Sequence, residues 1–183
     1  GNETLVFWSD HMIPSDTLYH YMTYVQSLVE VPVTTADDFN MWNKNENMHI
    51  AEISDFIVMH AHPLWGGLQI DNAVDWVKKI YYEIQNIYPD KMIVIGETGW
   101  ATQKNNVGMQ AKLIKGKAGE TEQKMFINDF MEWTDAEGIP YFLFEVFDEK
   151  WKGGEHPNEV EKHWGLFYSD RSPKEVMRAV VNK

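Results

Sequence analysis

Lys91-Met92-Ile93-Val94-Ile95-Gly96-Glu97-Thr98-Gly99-Trp100 decides the fold. Met92 to Ile95 are apolar without interruption, and three of the four are β-branched. Such a run reads as a strand buried on both faces, as in a parallel sheet. Gly96 ends it. Glu97 then stands between two glycines, with an aromatic, Trp100, just beyond. In α/β sheets and barrels, ligands bind at the carboxyl ends of strands. A carboxylate at the lip of a buried strand is costly unless it has a partner or a task. Glu97 is therefore the first candidate functional residue. A salt bridge or a helix cap is the competing structural role.

Upstream, Ala73, Val74, Val77, Ile80, Tyr81 and Ile84 make one apolar stripe over residues 70–88, a helix that Pro89 stops. Residues 55–63 read as a second buried strand, and residues 64–67 as a loop exposing the indole of Trp65. Residues 31–35 read as another strand, with Pro32 at its entry. A loop through Asp37-Asp38 and Trp42 and a short helix over 48–53 follow it. Ser15-Asp16 opens a helix whose apolar side is Leu18, Met22, Val25, Leu28 and Val29. Downstream, residues 102–119 read as a long polar loop. Residues 120–137 form a helix with Phe126, Phe130 and Trp133 inward and Gly138 at its C-terminal cap. Residues 139–147 read as a strand, and Pro173 opens a closing helix. Strict alternation of β and α predicts a parallel sheet with helices packed outside.

Composition excludes several classes. The net charge is −12, with no run of Lys or Arg, so nucleic acid and anionic membrane are poor partners. No stretch approaches the roughly 20 apolar residues of a membrane span. Cys is absent, so there is neither a disulfide framework nor a thiolate metal site, and the compartment is left open. Aromatics reach 14%, and their flat apolar faces suit a neutral ligand with ring faces of its own. His60 and His62, two apart on a strand, share one face. With no matching third ligand, sugar contacts or core hydrogen bonds fit them better than a metal. No metal and no cofactor are expected.

The functional residue types gather at predicted strand ends: Glu3, Thr35, His62, Glu97 and Glu149. Two carboxylates flanking a pocket are the minimum equipment for glycoside hydrolysis. One protonates the leaving oxygen, and the other attacks the anomeric carbon or activates water.

Four segments carry a family resemblance. Gly1-Asn2-Glu3 resembles the G-N-E at the end of strand four in clan A retaining glycosidases. Gly96-Glu97-Thr98-Gly99-Trp100 resembles the strand-seven motif (S/G)-E-(S/T)-G-W of glycoside hydrolase family 17, the β-1,3-glucanases. Phe144-Glu145-Val146-Phe147-Asp148-Glu149-Lys150-Trp151-Lys152 resembles the F-x-x-F-(D/N)-E-x-x-K of strand eight. Glu161-Lys162-His163-Trp164-Gly165-Leu166-Phe167 resembles the E-x-x-(W/F)-G-L-F that follows. The resemblance implies a (β/α)8 TIM-barrel fold, of which residues 1–183 form a single partial domain from the end of strand four to helix eight, with strands one to three absent. A whole barrel takes about 200–250 residues or more.

The resemblance also implies roles. Glu3 would be the general acid/base and Glu97 the nucleophile of a retaining β-1,3-glucan hydrolase, with the carboxyl groups about 5–5.5 Å apart. Asn2 would hydrogen-bond the sugar 2-hydroxyl. Glu149, Lys152 and Glu161 would line the cleft, and Lys152 near Glu97 would favour the ionised nucleophile. Thr35, His62, Trp65 and Trp100 complete the expected substrate contacts, and the partner is a β-glucan polysaccharide or oligosaccharide. His60-Ala61-His62-Pro63 and Gly99-Trp100-Ala101-Thr102 depart from the plant members' N-x-Y-P and G-W-P-S. A β-1,3-glucanosyltransferase is the alternative enzyme. A non-catalytic glucan-binding half-barrel is the alternative of another class. Open strand edges predict a homodimer or a complementing N-terminal half.

Overall fold

Four strands pair in the order in which the chain makes them: β1 (Ala36–Asp38), β2 (Ile57–His60), β3 (Ile93–Thr98) and β4 (Tyr141–Leu143). They are described by a computed structural model covering residues 1–181. β1 and β2 run parallel, with Ala36 opposite Val58 and Asp38 opposite His60. Asn2 adds a parallel bridge to Ala36, supported by Glu3 N donating to the Ala36 carbonyl at 3.0 Å. Helices fill every crossover, as parallel neighbours require. α2 (Phe39–Trp42) and α3 (Met48–Ile53) lie between β1 and β2, and α4 (Ile70–Ile87) between β2 and β3. α5 (Gly108–Leu113) and α6 (Glu120–Glu137) lie between β3 and β4. α1 (Ser15–Gln26) precedes the sheet and α7 (Glu175–Val181) follows it. The architecture is α/β with a parallel sheet. Among the described residues no helix is long and apolar enough to cross a membrane.

The chain divides into two compact units. The first comprises residues 1–61, 79–96 and 139–141, and the second residues 62–78, 97–138 and 142–181 of the described chain. In the first, Ile57, Met59, Ile93 and Ile95 of the sheet are buried with Trp42, Ile50, Ala51 and Ile84. Two of the polar groups buried with them find partners. Trp42 Nε1 donates to the Val58 carbonyl at 2.9 Å, and the Tyr88 hydroxyl to the Trp42 carbonyl at 2.8 Å. In the second unit, Leu64, Trp100, Phe126, Phe130 and Trp164 form the core. Gly138 closes α6 in the left-handed conformation (φ 67°), its N–H returning to the Thr134 carbonyl.

Several boundaries differ from expectation. The first strand begins at Ala36, not over 31–35. Just before it, Asp55 N bonds the Val33 carbonyl, but Val33 N turns to the Asp55 carboxylate and the Thr34 hydroxyl takes the Phe56 carbonyl, so side chains interrupt the ladder. Asp37-Asp38 belong to that strand rather than to a loop, and Asp38 caps α2 by accepting Asn40 N. α1 stops at Gln26 and buries Leu18 and Met22, leaving Val25, Leu28 and Val29 exposed. The expected 102–119 loop contains α5. β4 is three residues long because the chain beyond it changes partner. Leu166 N bonds the Glu145 carbonyl, Phe167 N the Val146 carbonyl, and Phe147 bridges Phe167 in parallel.

Candidate active site

In the first unit the site is built on Glu3. Its backbone is left-handed (φ 49°), a conformation that costs a non-glycine residue about 1–3 kcal/mol and persists only where the surroundings impose it. The two hydrogen bonds that Gly1 and Glu3 share with Ala36 impose it here. The Glu3 carboxylate lies 3.2 Å from His60 Nδ1. An ionised carboxylate only accepts, so Nδ1 carries the proton in that state. His60 ends β2 and is buried, and Gly96 of β3 makes room for it. A Cβ at 96 would stand 3.1 Å from His60 Cδ2 and 2.4 Å from Val58 Cγ1. Beside this pair Asp37 is buried, accepting Leu5 N at 3.0 Å and Asp38 N at 2.9 Å. Burial raises its pKa to about 6 against the lowering pull of those two N–H groups, and the charge of Glu3 raises it further. Asn2 is exposed next to the acid. Thr35 corrects an expectation: it is 1% exposed and its hydroxyl donates to the Gly1 carbonyl at 3.1 Å, so it packs rather than faces a ligand.

In the second unit the site is built on Glu97, at the carboxyl end of β3. Its carboxylate lies 3.3 Å from His62 Nε2. The His62 ring is held edge-on by Phe144 and Trp164, with centroids at 5.4 and 5.2 Å. Its Nδ1 is buried without a hydrogen-bond partner among the described residues. Gly99 is demanded by the neighbouring chain, since a Cβ there would lie 2.1 Å from the Phe144 carbonyl oxygen.

Lys152 Nζ sits 4.6 Å above the Phe144 ring and 2.6 Å from both Glu145 and Glu149. It is thus shared between these two acids. Burial pushes Glu145 up to about 7 although Lys152 pulls the other way. The hydrogen bond from Lys152 holds Glu149 below its ordinary range. Burial lowers the Lys152 pKa, but the two carboxylates more than offset this and leave it raised. Trp65 is half-buried and donates Nε1 to Glu161 at 3.0 Å. Burial raises the Glu161 pKa, and that hydrogen bond restrains it. Trp100 corrects the second expectation. It is fully buried against Phe126, with Nε1 donating to the Lys117 carbonyl at 3.0 Å, and it offers no face to a ligand.

Each candidate carboxylate therefore stands beside an imidazole, and one H-x-H motif supplies both. Phe144 and Glu145 were not singled out from the sequence as site residues, and His60 was expected, with His62, to make sugar contacts or core hydrogen bonds. The two-residue spacing of the histidines was the available signal for His60. Nothing local distinguishes Phe144 from a core residue of its strand.

Residues 1–165 match the model of the BtgE/BtgC glycoside hydrolase domain. The chain belongs to this family of glycoside hydrolases, within glycoside hydrolase family 17. A relative from Aspergillus clavatus, named "Probable glucan endo-1,3-beta-glucosidase btgC", is 30% identical over 97% of this chain and 27% of its own length. Among solved structures, the β-1,3-glucanosyltransferase of Rhizomucor miehei is 28% identical with a TM-score of 0.79, covering 96% of this chain and 60% of that one. The endo-laminarinase of Formosa Hel1_33_131 is 25% identical with a TM-score of 0.81, covering 100% of this chain and 56% of that one. The chain thus spans about a quarter of the Aspergillus relative and somewhat over half of each solved structure.

Proposed function

We propose that this chain carries the catalytic carboxylates of a retaining β-1,3-glucan hydrolase, Glu97 as nucleophile and Glu3 as general acid/base. The observation that carries this is the contact of each carboxylate, at the end of its own motif, with an imidazole: Glu3 with His60 and Glu97 with His62. In the first displacement a Glu97 oxygen attacks the anomeric carbon as the bond to the leaving oxygen breaks. Glu3 gives that oxygen its proton. In the second, Glu3 takes a proton from water, the water oxygen attacks the same carbon, and Glu97 leaves as carboxylate. The two inversions give net retention. A separation of about 5–5.5 Å between the carboxyl groups is what this chemistry requires. His60 and His62 fix the orientation of each acid. Asn2 hydrogen-bonds the sugar 2-hydroxyl, and Trp65, Glu149, Lys152 and Glu161 line the cleft.

In this reading the parallel sheet is part of a (β/α)8 barrel, running from the end of strand four through helix eight. The remaining strands come from the rest of the protein or from a second chain. Laminarin hydrolysis tests the assignment. Glu97→Gln should lower the rate by about a thousandfold or more, and equal rates in parent and variant refute it. The similarity to the Rhizomucor glucanosyltransferase supports a second reading, in which a sugar hydroxyl replaces water in the second displacement. Products longer than the starting laminari-oligosaccharide would establish transfer.

A further inference from the structure

The segment just after Glu3 exposes two large aromatic rings. Phe7 is 85% exposed and Trp8 46%, and their rings meet edge-to-face at 4.9 Å. The segment that carries them is closed rather than loose. Ile13 N donates to the Thr4 carbonyl at 3.0 Å and shuts the neck, while Ser9 N donates to the Val6 carbonyl at 3.1 Å and makes the turn. Val6 is buried as an anchor. Leu5 N is held by the carboxylate of Asp37, the same group that feels the charge of Glu3. A pinned loop that shows two adjacent aromatic faces to water is organised for an apolar contact. Chain length limits its distance from the acid. Five residues reach at most about 17 Å, a few sugar units along a polysaccharide. The rings carry no charge, and a chain of net charge −12 repels an anionic polysaccharide.

We infer that Phe7 and Trp8 form a distal subsite on which a glucosyl ring of a long β-glucan stacks, remote from the bond that is cleaved. This rests on the glucanase reading above. It gives the protein a preference for polymer over oligomer, because a short substrate ends before it reaches the pair.

The test compares kcat/KM on laminarin with kcat/KM on laminaritriose, using the intact protein. In Phe7→Ala and in Trp8→Ala the laminarin-to-laminaritriose ratio falls about tenfold, the loss expected for uncovering an aromatic face. Trp8→Phe, which keeps a flat ring and the fold, retains most of the parent ratio. In the Glu97→Gln background, laminarin shifts the tryptophan fluorescence more than laminaritriose does, and Trp8→Phe removes the difference. A parent ratio maintained in both alanine variants overturns the subsite. So does a change confined to oligomeric state, which would mark the pair as a protein interface. A parent without activity on either substrate would instead refute the glucanase assignment itself.

Discussion

Lys174 is a lysine with no exposed surface, and its replacement by methionine gives the sharpest test of what holds the second unit together. Its Nζ donates to Asp148 at 2.7 Å, to the Thr102 hydroxyl at 2.8 Å and to the His163 carbonyl at 3.3 Å. Asp148 is itself buried and also accepts Gly165 N at 3.0 Å. One ammonium thus ties the segment after β3 to both arms of the segment after β4. Lys174→Met keeps most of the side-chain volume but leaves the Asp148 charge buried with one backbone donor, Gly165 N, and the His163 ring 3.8 Å away. Breaking a buried pair this way costs about 3–5 kcal/mol, a large share of the roughly 5–15 kcal/mol that holds a domain together. The melting temperature should fall by about 6–20 °C, at 2–4 °C per kcal/mol for a chain of this size. Removing the charge as well should restore part of the loss. Asp148→Leu combined with Lys174→Met sacrifices the Gly165 hydrogen bond, about 1–3 kcal/mol, but strands no ion. Urea unfolding of the parent, both single variants and the double variant yields the coupling energy. A Lys174→Met variant within about 0.5 kcal/mol of the parent refutes the reasoning. So does a double variant less stable than Lys174→Met.

Two further predictions follow from the second unit. Gly99→Ala forces a Cβ against the Phe144 carbonyl oxygen, backbone that cannot rotate away, and should cost about 1–3 kcal/mol or more, read as a lower urea midpoint. Glu145 binds its proton more tightly in the fold than in the unfolded chain, with its pKa raised from 4.5 to about 7. Its stabilising contribution is therefore complete below pH 4.5 and lost as pH rises through 7. Glu145→Gln removes that loss, so the stability difference between variant and parent should move in the variant's favour by roughly 1–3 kcal/mol from pH 4.5 to 8. A difference independent of pH would refute the placement of that proton.

The sheet was legible where burial is continuous. Ile93 to Ile95 of β3 and the apolar stripe of α4 depend on side chains whose only requirement is to leave water, and periodicity records that. The glycines on either side of Glu97 were visible as a motif, but their cause was not. Gly96 yields to Val58 and His60, and Gly99 to the Phe144 carbonyl, all of which are distant in sequence. Trp100 shows the limit of residue type as a guide. An indole beside a strand-end carboxylate suits a sugar platform, yet Lys117 and Phe126 draw it into the core. The acids that Lys152 pairs with were only partly legible. Spacing brings it to Glu149 three residues earlier, but Glu145 reaches it only because the chain beyond β4 turns to pair with residues 166 and 167.

Gln123 carries one consequence for anyone redesigning this chain. Its single amide nitrogen donates to the carbonyls of Trp100 at 2.9 Å, Trp164 at 3.2 Å and Gly165 at 3.1 Å. Loops are ordinarily exchangeable modules on a fixed scaffold. Here a helix side chain reads the backbone of two separate loops at once. A loop after β3 transplanted from a relative would arrive without the carbonyl position that its neighbour is set against. The two segments are coupled through one side chain, and a graft that keeps the packing has to move both together with the residue at 123.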